Sequence, residues 1–340
     1  MEQTLAVTEE PAGQETRPGT APLVINGVSR AYGRRLAVNN VSFEVWPGGV
    51  TGLLGPNGAG KTSLLSCVAG IANWDEGDIS VGGIDAARRP MLARRQVGFM
   101  PERIAFWNEM EIGSYLAFVA QVKGLPKRRR QEAVDHSLFR AGLLDVRSRI
   151  IGNLSKGYRQ RVGLAQALLG DPPVVILDEP MAGLDPLNAI EIREVLSEYA
   201  DDRVVLLSTH VIADVRMMCS RVIMMSQGSV VYDGKALGIS PASGTRRVRF
   251  RLGRLHQSPA ALEALVVNAG ARPIRVDAGN EAAEMTVETP DDGVTDGLVR
   301  CFLDAGLAVY GVEGTTDTLE EAFREAVQRA HDDGAKDRSH

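Results

Sequence analysis

Cysteine is scarce in this 340-residue chain, long apolar runs are missing, and basic residues are not in surplus. The three cysteines, Cys67, Cys219 and Cys301, stand too far apart for a zinc pattern or a disulfide framework. A reducing compartment is therefore expected, and Cys67 reads as a small buried apolar residue. No run approaches the roughly 18 apolar residues that a membrane-spanning helix needs, and Met1 to Thr20 lack the apolar block of a secretory leader. With 38 Lys and Arg against 43 Asp and Glu the net charge is −5, which speaks against a dedicated nucleic-acid binder. The Lys127-Arg128-Arg129-Arg130 run and the pairs Arg88-Arg89 and Arg94-Arg95 read as solvated surface for the same reason.

What is present is an ordinary globular mixture, 44% hydrophobic and 24% charged, long enough for one large domain and one small one. Residues 1–22 carry Glu2, Glu9, Glu10, Glu15, Pro11 and Pro18 without an aromatic side chain and read as a disordered tail, as do residues 333–340. From Leu23 the pattern turns β-like, and Val41, Phe43 and Val45 alternate with polar neighbours. Val50 to Leu54 is a short apolar strand, and Ser63 to Ala69 reads as a helix. Val174 to Leu177 and Val204 to Leu207 are continuously apolar, as strands buried on both faces of a parallel sheet are. Helices near 158–169 and 186–200 alternate with them, which predicts an α/β fold with a mixed, largely parallel sheet over residues 23–238 and a helical subdomain at about 105–160. After a Ser/Pro/Gly-rich linker at 239–245, residues 246–332 read as a ferredoxin-like βαββαβ accessory domain of α+β class, closed by a helix at 319–331 with Thr318 and Glu321 as its capping box.

Two stretches carry chemistry. Gly55-Pro56-Asn57-Gly58-Ala59-Gly60-Lys61-Thr62-Ser63 fits Gly-x-x-x-x-Gly-Lys-Thr between a strand and a helix. Glycines let successive backbone N–H groups turn inward around an anion, the helix points its positive end at it, Lys61 reaches the β/γ-phosphates, and the Thr62 hydroxyl can ligate Mg²⁺. A plain glycine-rich turn is the alternative, and the flanking strand and helix argue against it. The second stretch, Val174-Val175-Ile176-Leu177-Asp178-Glu179-Pro180, ends a buried strand in two acids, which is costly unless they have partners. With a phosphate loop upstream, Asp178 is expected to hold Mg²⁺ through water and Glu179 to polarise the attacking water, where a lone solvated acidic turn would do neither.

A third stretch, Leu154-Ser155-Lys156-Gly157-Tyr158-Arg159-Gln160-Arg161, resembles the signature of the ATP-binding cassette (ABC) ATPases. Gly183-Leu184-Asp185 resembles that family's D-loop, His210 of Ser208-Thr209-His210 looks like its switch histidine, and Tyr32 matches its adenine-stacking aromatic. The resemblance covers about residues 23–238. Two departures narrow it: Leu-Ser-Lys-Gly-Tyr stands for Leu-Ser-Gly-Gly-Gln, and Glu102 stands for the Q-loop glutamine. Both are similar to cassettes of ABC-2 type exporters, including the gliding-motility branch. Met181, where threonine is common, has no chemical role in this reading, and Met217 and Met218 read as filler of a core or interface.

The resemblance implies an ATPase that uses ATP and Mg²⁺, the cation held by Thr62, Asp178 and Glu102. Glu179 is the implied base, His210 the γ-phosphate sensor, and Lys61 the cation on the phosphates. It also implies a head-to-tail homodimer with ATP at the seam, Ser155 and Gly157 of one copy facing the phosphate loop of the other. A permease on a separate chain is the implied partner, at the cytoplasmic face of the cell membrane. A soluble ABC ATPase acting on nucleic acid or ribosomes is the alternative. This sequence shows neither the long coiled-coil insertion nor the second cassette that such proteins carry.

Overall fold

The computed structural model describes residues 23–236, 246–253, 258–279 and 282–315. The tails at 1–22 and 333–340, the linker at 239–245 and the helix at 319–331 with its capping box lie outside them.

The chain opens with β1 (Leu23–Tyr32) and β2 (Arg35–Val45), an antiparallel hairpin. β3 (Val50–Leu54) runs into α1 (Lys61–Val68), two residues earlier than the apolar pattern predicts. β4 (Glu76–Val81) and β5 (Ile84–Asp85) join the hairpin in a four-stranded sheet of order β2-β1-β4-β5. After α2 (Pro90–Arg95) come β6 (Val97–Met100), then the helices α3 (Ile112–Val122), α4 (Lys127–Arg140) and α5 (Lys156–Leu168). β7 (Val174–Asp178), α6 (Pro186–Ala200), β8 (Val204–Thr209), α7 (Ile212–Met218), β9 (Cys219–Ser226) and β10 (Ser229–Lys235) complete this part. The second sheet has the order β10-β9-β3-β8-β7-β6, with only β10 antiparallel to its neighbour. The mixed character read from the sequence is thus divided between an antiparallel sheet and a mostly parallel one.

Every residue of β3, β7 and β8 is buried, because both faces of the parallel sheet are covered. Side chains alternate across it: Val174, Ile176, Val204 and Leu206 enter a core shared with the antiparallel sheet and α1. Val175, Leu177, Val205 and Leu207 enter a second core with α5, α6 and α7. Each such side chain contributes about 1.5–3 kcal/mol relative to exposure. Met181, which the sequence leaves without a role, is buried in that second core, and Cys67 is wholly buried in the first. Met218 packs against the second core, whereas Met217 is exposed, so of the pair only Met218 fills a core.

A third core belongs to the helices alone, with Ile112, Leu116, Val134, Leu138 and Val162 among its members. The Lys127–Arg130 run begins α4 on the surface, as its charge demands. The Lys123 Nζ donates to the carbonyls of Gln166 and Leu169 at 3.0 and 3.1 Å, so it caps the C-terminal end of α5, where a cation is favoured. On the outer side Trp107 is 51% exposed and meets the exposed Phe118 edge-on at 4.6 Å.

The C-terminal part has β11 (Arg246–Gly253), α8 (Pro259–Asn268), β12 (Arg272–Ala278), β13 (Ala282–Thr289), α9 (Asp292–Asp304) and β14 (Ala308–Thr315). The sheet is fully antiparallel in the order β12-β13-β11-β14, as the βαββαβ pattern requires when each helix crosses over one strand. Phe250 and Phe302 meet edge-on at 5.2 Å in its core.

Candidate nucleotide site

The loop between β3 and α1 is shaped by glycines that nothing else could replace. Gly60 is the N-cap of α1 at φ +103°, and a Cβ there would collide with the Ala37 carbonyl oxygen. At Gly55 a Cβ would come within 2.6 Å of the Met225 carbonyl oxygen. Gly60→Ala is accordingly expected to destabilise the free protein by about 2 kcal/mol or more, since a left-handed residue is strained and backbone must also shift. Thermal unfolding of the purified variant checks this, and an unchanged midpoint would contradict it.

Lys61 begins α1 and is only 6% exposed. Its Nζ donates to the carbonyls of Gly55 at 2.6 Å and Pro56 at 3.3 Å, and stands 4.0 Å from Glu179 Oε1. Burial pushes its pKa below the usual lysine value, against the pull of Glu179, Asp178 and Glu102. An ammonium held in a desolvated loop, its nearest carboxylate oxygen as far off as 4.0 Å, is suited to a polyanion that enters from outside.

Asp178 and Glu179 end β7 beside β8, and Asp178 pairs in register with Ser208. Asp178 is 1% exposed, and one carboxylate oxygen accepts a short hydrogen bond from Ser208 Oγ. The other, Oδ2, has no hydrogen-bond partner among the described residues. A buried carboxylate oxygen with nothing to accept is costly and fits a cation brought in with the phosphates. Among the described residues no three His, Cys, Asp or Glu side chains converge into a metal cage. Glu179 takes φ +52°, rare for a residue with a Cβ, and its backbone N–H is shared between Ser208 O and Ser208 Oγ at 3.2 and 3.1 Å. That turn brings Glu179 Oε1 to 2.8 Å from His210 Nδ1.

These groups surround a cleft of ≈ 600 Å³ whose wall includes Tyr32, Asn57, Gly58, Ala59, Gly60, Lys61, Thr62, Ser63, Glu102, Glu179 and His210. Nine of those eleven come from three separate stretches of the N-terminal half of the cassette and two from strand ends far along the chain. Gly55, Pro56 and Asp178 are not part of that wall. Tyr32 is 49% exposed at one end, and Arg30 covers its ring at 4.9 Å while pairing with Asp75 at 3.2 Å. Arg35 and Ala37 also line the cleft, and Arg35 Nη2 reaches to 3.5 Å from the Gly58 carbonyl. Sequence reasoning missed both, since only the hairpin's return over the loop puts them there.

The signature residues lie elsewhere. Leu154 is buried in the helical core. Ser155 is the N-cap of α5 and accepts from Tyr158 N at 3.4 Å, with Lys156 exposed and Gly157 packed against Asn188. Lys156 Nζ lies against Gly183 of the Gly183-Leu184-Asp185 turn, and Asp185 caps α6 by accepting from Asn188 N at 3.0 Å. Those hydrogen bonds from Asn188 hold the Asp185 carboxyl below its usual range. Gln160 Nε2 donates to Pro180 O at 2.7 Å, tying α5 to the turn that follows Glu179. None of Leu154 to Tyr158 or Gly183 to Asp185 is in the cleft wall.

A strand–loop–helix cradle, a buried lysine inside it, and paired acids at the end of a parallel strand in the same sheet define a nucleotide-hydrolysing protein of the phosphate-loop class. The family model described as ABC transporter matches residues 38–182. The chain is 32% identical over 310 residues to "Uncharacterized ABC transporter ATP-binding protein YxlF" of Bacillus subtilis (strain 168), covering 90% of this chain and 99% of that one. It is 32% identical over 232 residues to "Lipopolysaccharide export system ATP-binding protein LptB" of Escherichia coli (strain K12), covering 67% of this chain and 96% of that one. A solved "Structure of ATP binding subunit of ABC transporter" superposes with TM-score 0.58 at 30% identity, over 63% of this chain and 90% of that one. The chain belongs to the ABC transporter ATP-binding proteins, and it is an ATPase.

Proposed function

We propose that residues 23–238 form a cassette that closes on a second copy of itself around ATP and drives export through a separate permease. The observation that carries this reading is the displacement of the signature from the cleft: Ser155 and Lys156 stand exposed at the start of a 13-residue helix, outside the cleft wall of their own chain. Unpaired N–H groups at a helix start suit a γ-phosphate, and a head-to-tail partner would supply one.

Within the cleft Tyr32 stacks on adenine, the loop from Gly55 to Ser63 wraps the phosphates, and Lys61 neutralises them. Glu179 takes a proton from water as its oxygen bonds to the γ-phosphorus and the bond to ADP breaks, while His210 holds Glu179 and the leaving phosphate. Mg²⁺, which Thr62, Asp178 and Glu102 would hold, supplies charge neutralisation on the phosphate oxygens. Lost γ-phosphate charge lets the copies part, and that motion reaches the permease.

Among the described residues no helix is long and apolar enough to cross a membrane. The exposed Trp107 and Phe118 offer an apolar contact for a permease loop at the cytoplasmic face of the membrane. The export direction is supported by the likeness to the lipopolysaccharide export protein. Residues 246–332 form a separate accessory unit. Two results test the reading. MgATP should double the apparent mass of a hydrolysis-deficient variant where ADP does not, and Trp107→Glu should release the protein from membranes without slowing its ATPase in solution. A strictly monomeric ATP-bound form, or membrane attachment indifferent to Trp107, would count against it.

A further inference from the structure

The Ser208 hydroxyl bridges the two acids at the end of β7. It is fully buried, and in its register position opposite Asp178 its hydroxyl lies between Asp178 Oδ1 and the backbone N–H of Glu179. The directions of these bonds are fixed by elementary chemistry. A backbone N–H can only donate, so Glu179 N–H takes a lone pair of Ser208 Oγ at 3.1 Å. A hydroxyl has a single proton, and the carboxylate Oδ1 beside it is the acceptor for it. One lone pair and one proton are thereby committed, and the carboxylate can no longer swing about its Cβ–Cγ bond. Its remaining oxygen, Oδ2, is left buried and without a partner. The N–H side of the same hydroxyl supports the left-handed turn at Glu179, φ +52°, which carries the carboxylate to His210.

We propose that Ser208 is a positioning residue that sets the metal-facing oxygen of Asp178 and the backbone turn of Glu179 with one hydroxyl, so that cation affinity and water activation are tuned together. This rests on the reading of Asp178 as a Mg²⁺ ligand and Glu179 as the base. The neighbouring Thr209 cannot substitute, because successive side chains of β8 point to opposite faces; its Oγ1 accepts from Val211 N–H at 3.0 Å. Nothing in the phosphate loop contacts Ser208 in the described hydrogen bonds, so the nucleotide's direct contacts should be indifferent to it.

The test uses the full chain with Ser208→Ala and Ser208→Cys, the latter nearly isosteric with a poor donor. Mn²⁺ serves as the metal probe, titrated by electron paramagnetic resonance into protein saturated with a non-hydrolysable ATP analogue. Loss of an outer-shell partner lowers metal affinity by about 10–100-fold, so Ser208→Ala is expected near tenfold weaker for Mn²⁺, with Ser208→Cys between it and the parent. ATP turnover should fall by a similar factor, while analogue affinity measured in EDTA stays within about twofold. An unchanged Mn²⁺ constant in either folded variant overturns the proposal. So does a parallel loss of metal-free nucleotide affinity, which would mark Ser208 as a packing residue only. If Ser208→Ala does not fold, Ser208→Cys alone decides. A parent chain that binds nucleotide without any metal dependence would instead remove the reading of Asp178 on which the proposal stands, a result distinguishable from an unaltered variant.

Discussion

Glu179→Gln is expected to cut ATP turnover by about 10³-fold while leaving ATP affinity within about threefold, because general-base catalysis is worth roughly 10²–10⁴. The substitution keeps the shape and the hydrogen bond to His210 Nδ1, 2.8 Å away, so the left-handed turn and the cleft persist. What it removes is the one carboxylate in the described cleft wall that also meets His210 and Lys61. Phosphate release from purified protein under saturating MgATP measures the first effect, and calorimetry the second. A variant turning over at the parent rate would strip Glu179 of its role and shift attention to Glu102, the other carboxylate in the wall.

Lys61→Met is expected to weaken MgATP binding by about 100-fold, equivalent to ~2.7 kcal/mol, since hydrogen bonds to charged groups contribute about 1.5–3 kcal/mol each. The effect on the free protein has the opposite tendency. Lys61 has its pKa lowered in the fold, chiefly by burial, so its charged form is destabilising relative to the unfolded chain at any pH below the folded value. Methionine of similar length removes that cost, and the unliganded melting temperature should hold or rise. A marked fall without ligand would mean that the Gly55 and Pro56 carbonyls depend on the ammonium more than its desolvation suggests. Together the two variants separate binding from turnover: one loses the chemistry and keeps the nucleotide, the other loses the nucleotide.

The sequence disclosed most of this arrangement because its signals are local. Gly55 to Thr62 and Leu177-Asp178-Glu179 each occupy one unbroken stretch, and their chemistry follows from spacing. The all-apolar strands β7 and β8 announced a sheet covered on both faces. What stayed hidden depends on pairing between distant segments. Arg35 lines the cleft only because the first hairpin folds back over the loop, and Asp75 braces Tyr32 through Arg30 from 45 residues away. Ser208 was visible as part of Ser208-Thr209-His210, but only the β7–β8 register gives its hydroxyl two acids to serve. Met181 looked idle for the same reason, as its neighbours in the second core come from other elements. The antiparallel sheet beside the parallel one was equally out of reach, since β1 pairs with β4 across two intervening strands and a helix.

The helix that begins at Ser155 is a stiff rod with its two sides seated in different cores. Val162, Ala165 and Leu169 face the helical bundle, and Leu164, Ala167 and Leu168 face the catalytic sheet. Its far end is clamped where Lys123 grips the last carbonyls. At 1.5 Å per residue, 13 residues give a lever of about 20 Å, so tilting it by 10° about that clamp displaces the tip by roughly 3 Å. On the function proposed above, that distance would separate a hydrogen-bonded γ-phosphate from one out of reach, and a slight rocking of the bundle by a partner at Trp107 would become an on-or-off contact at the helix tip.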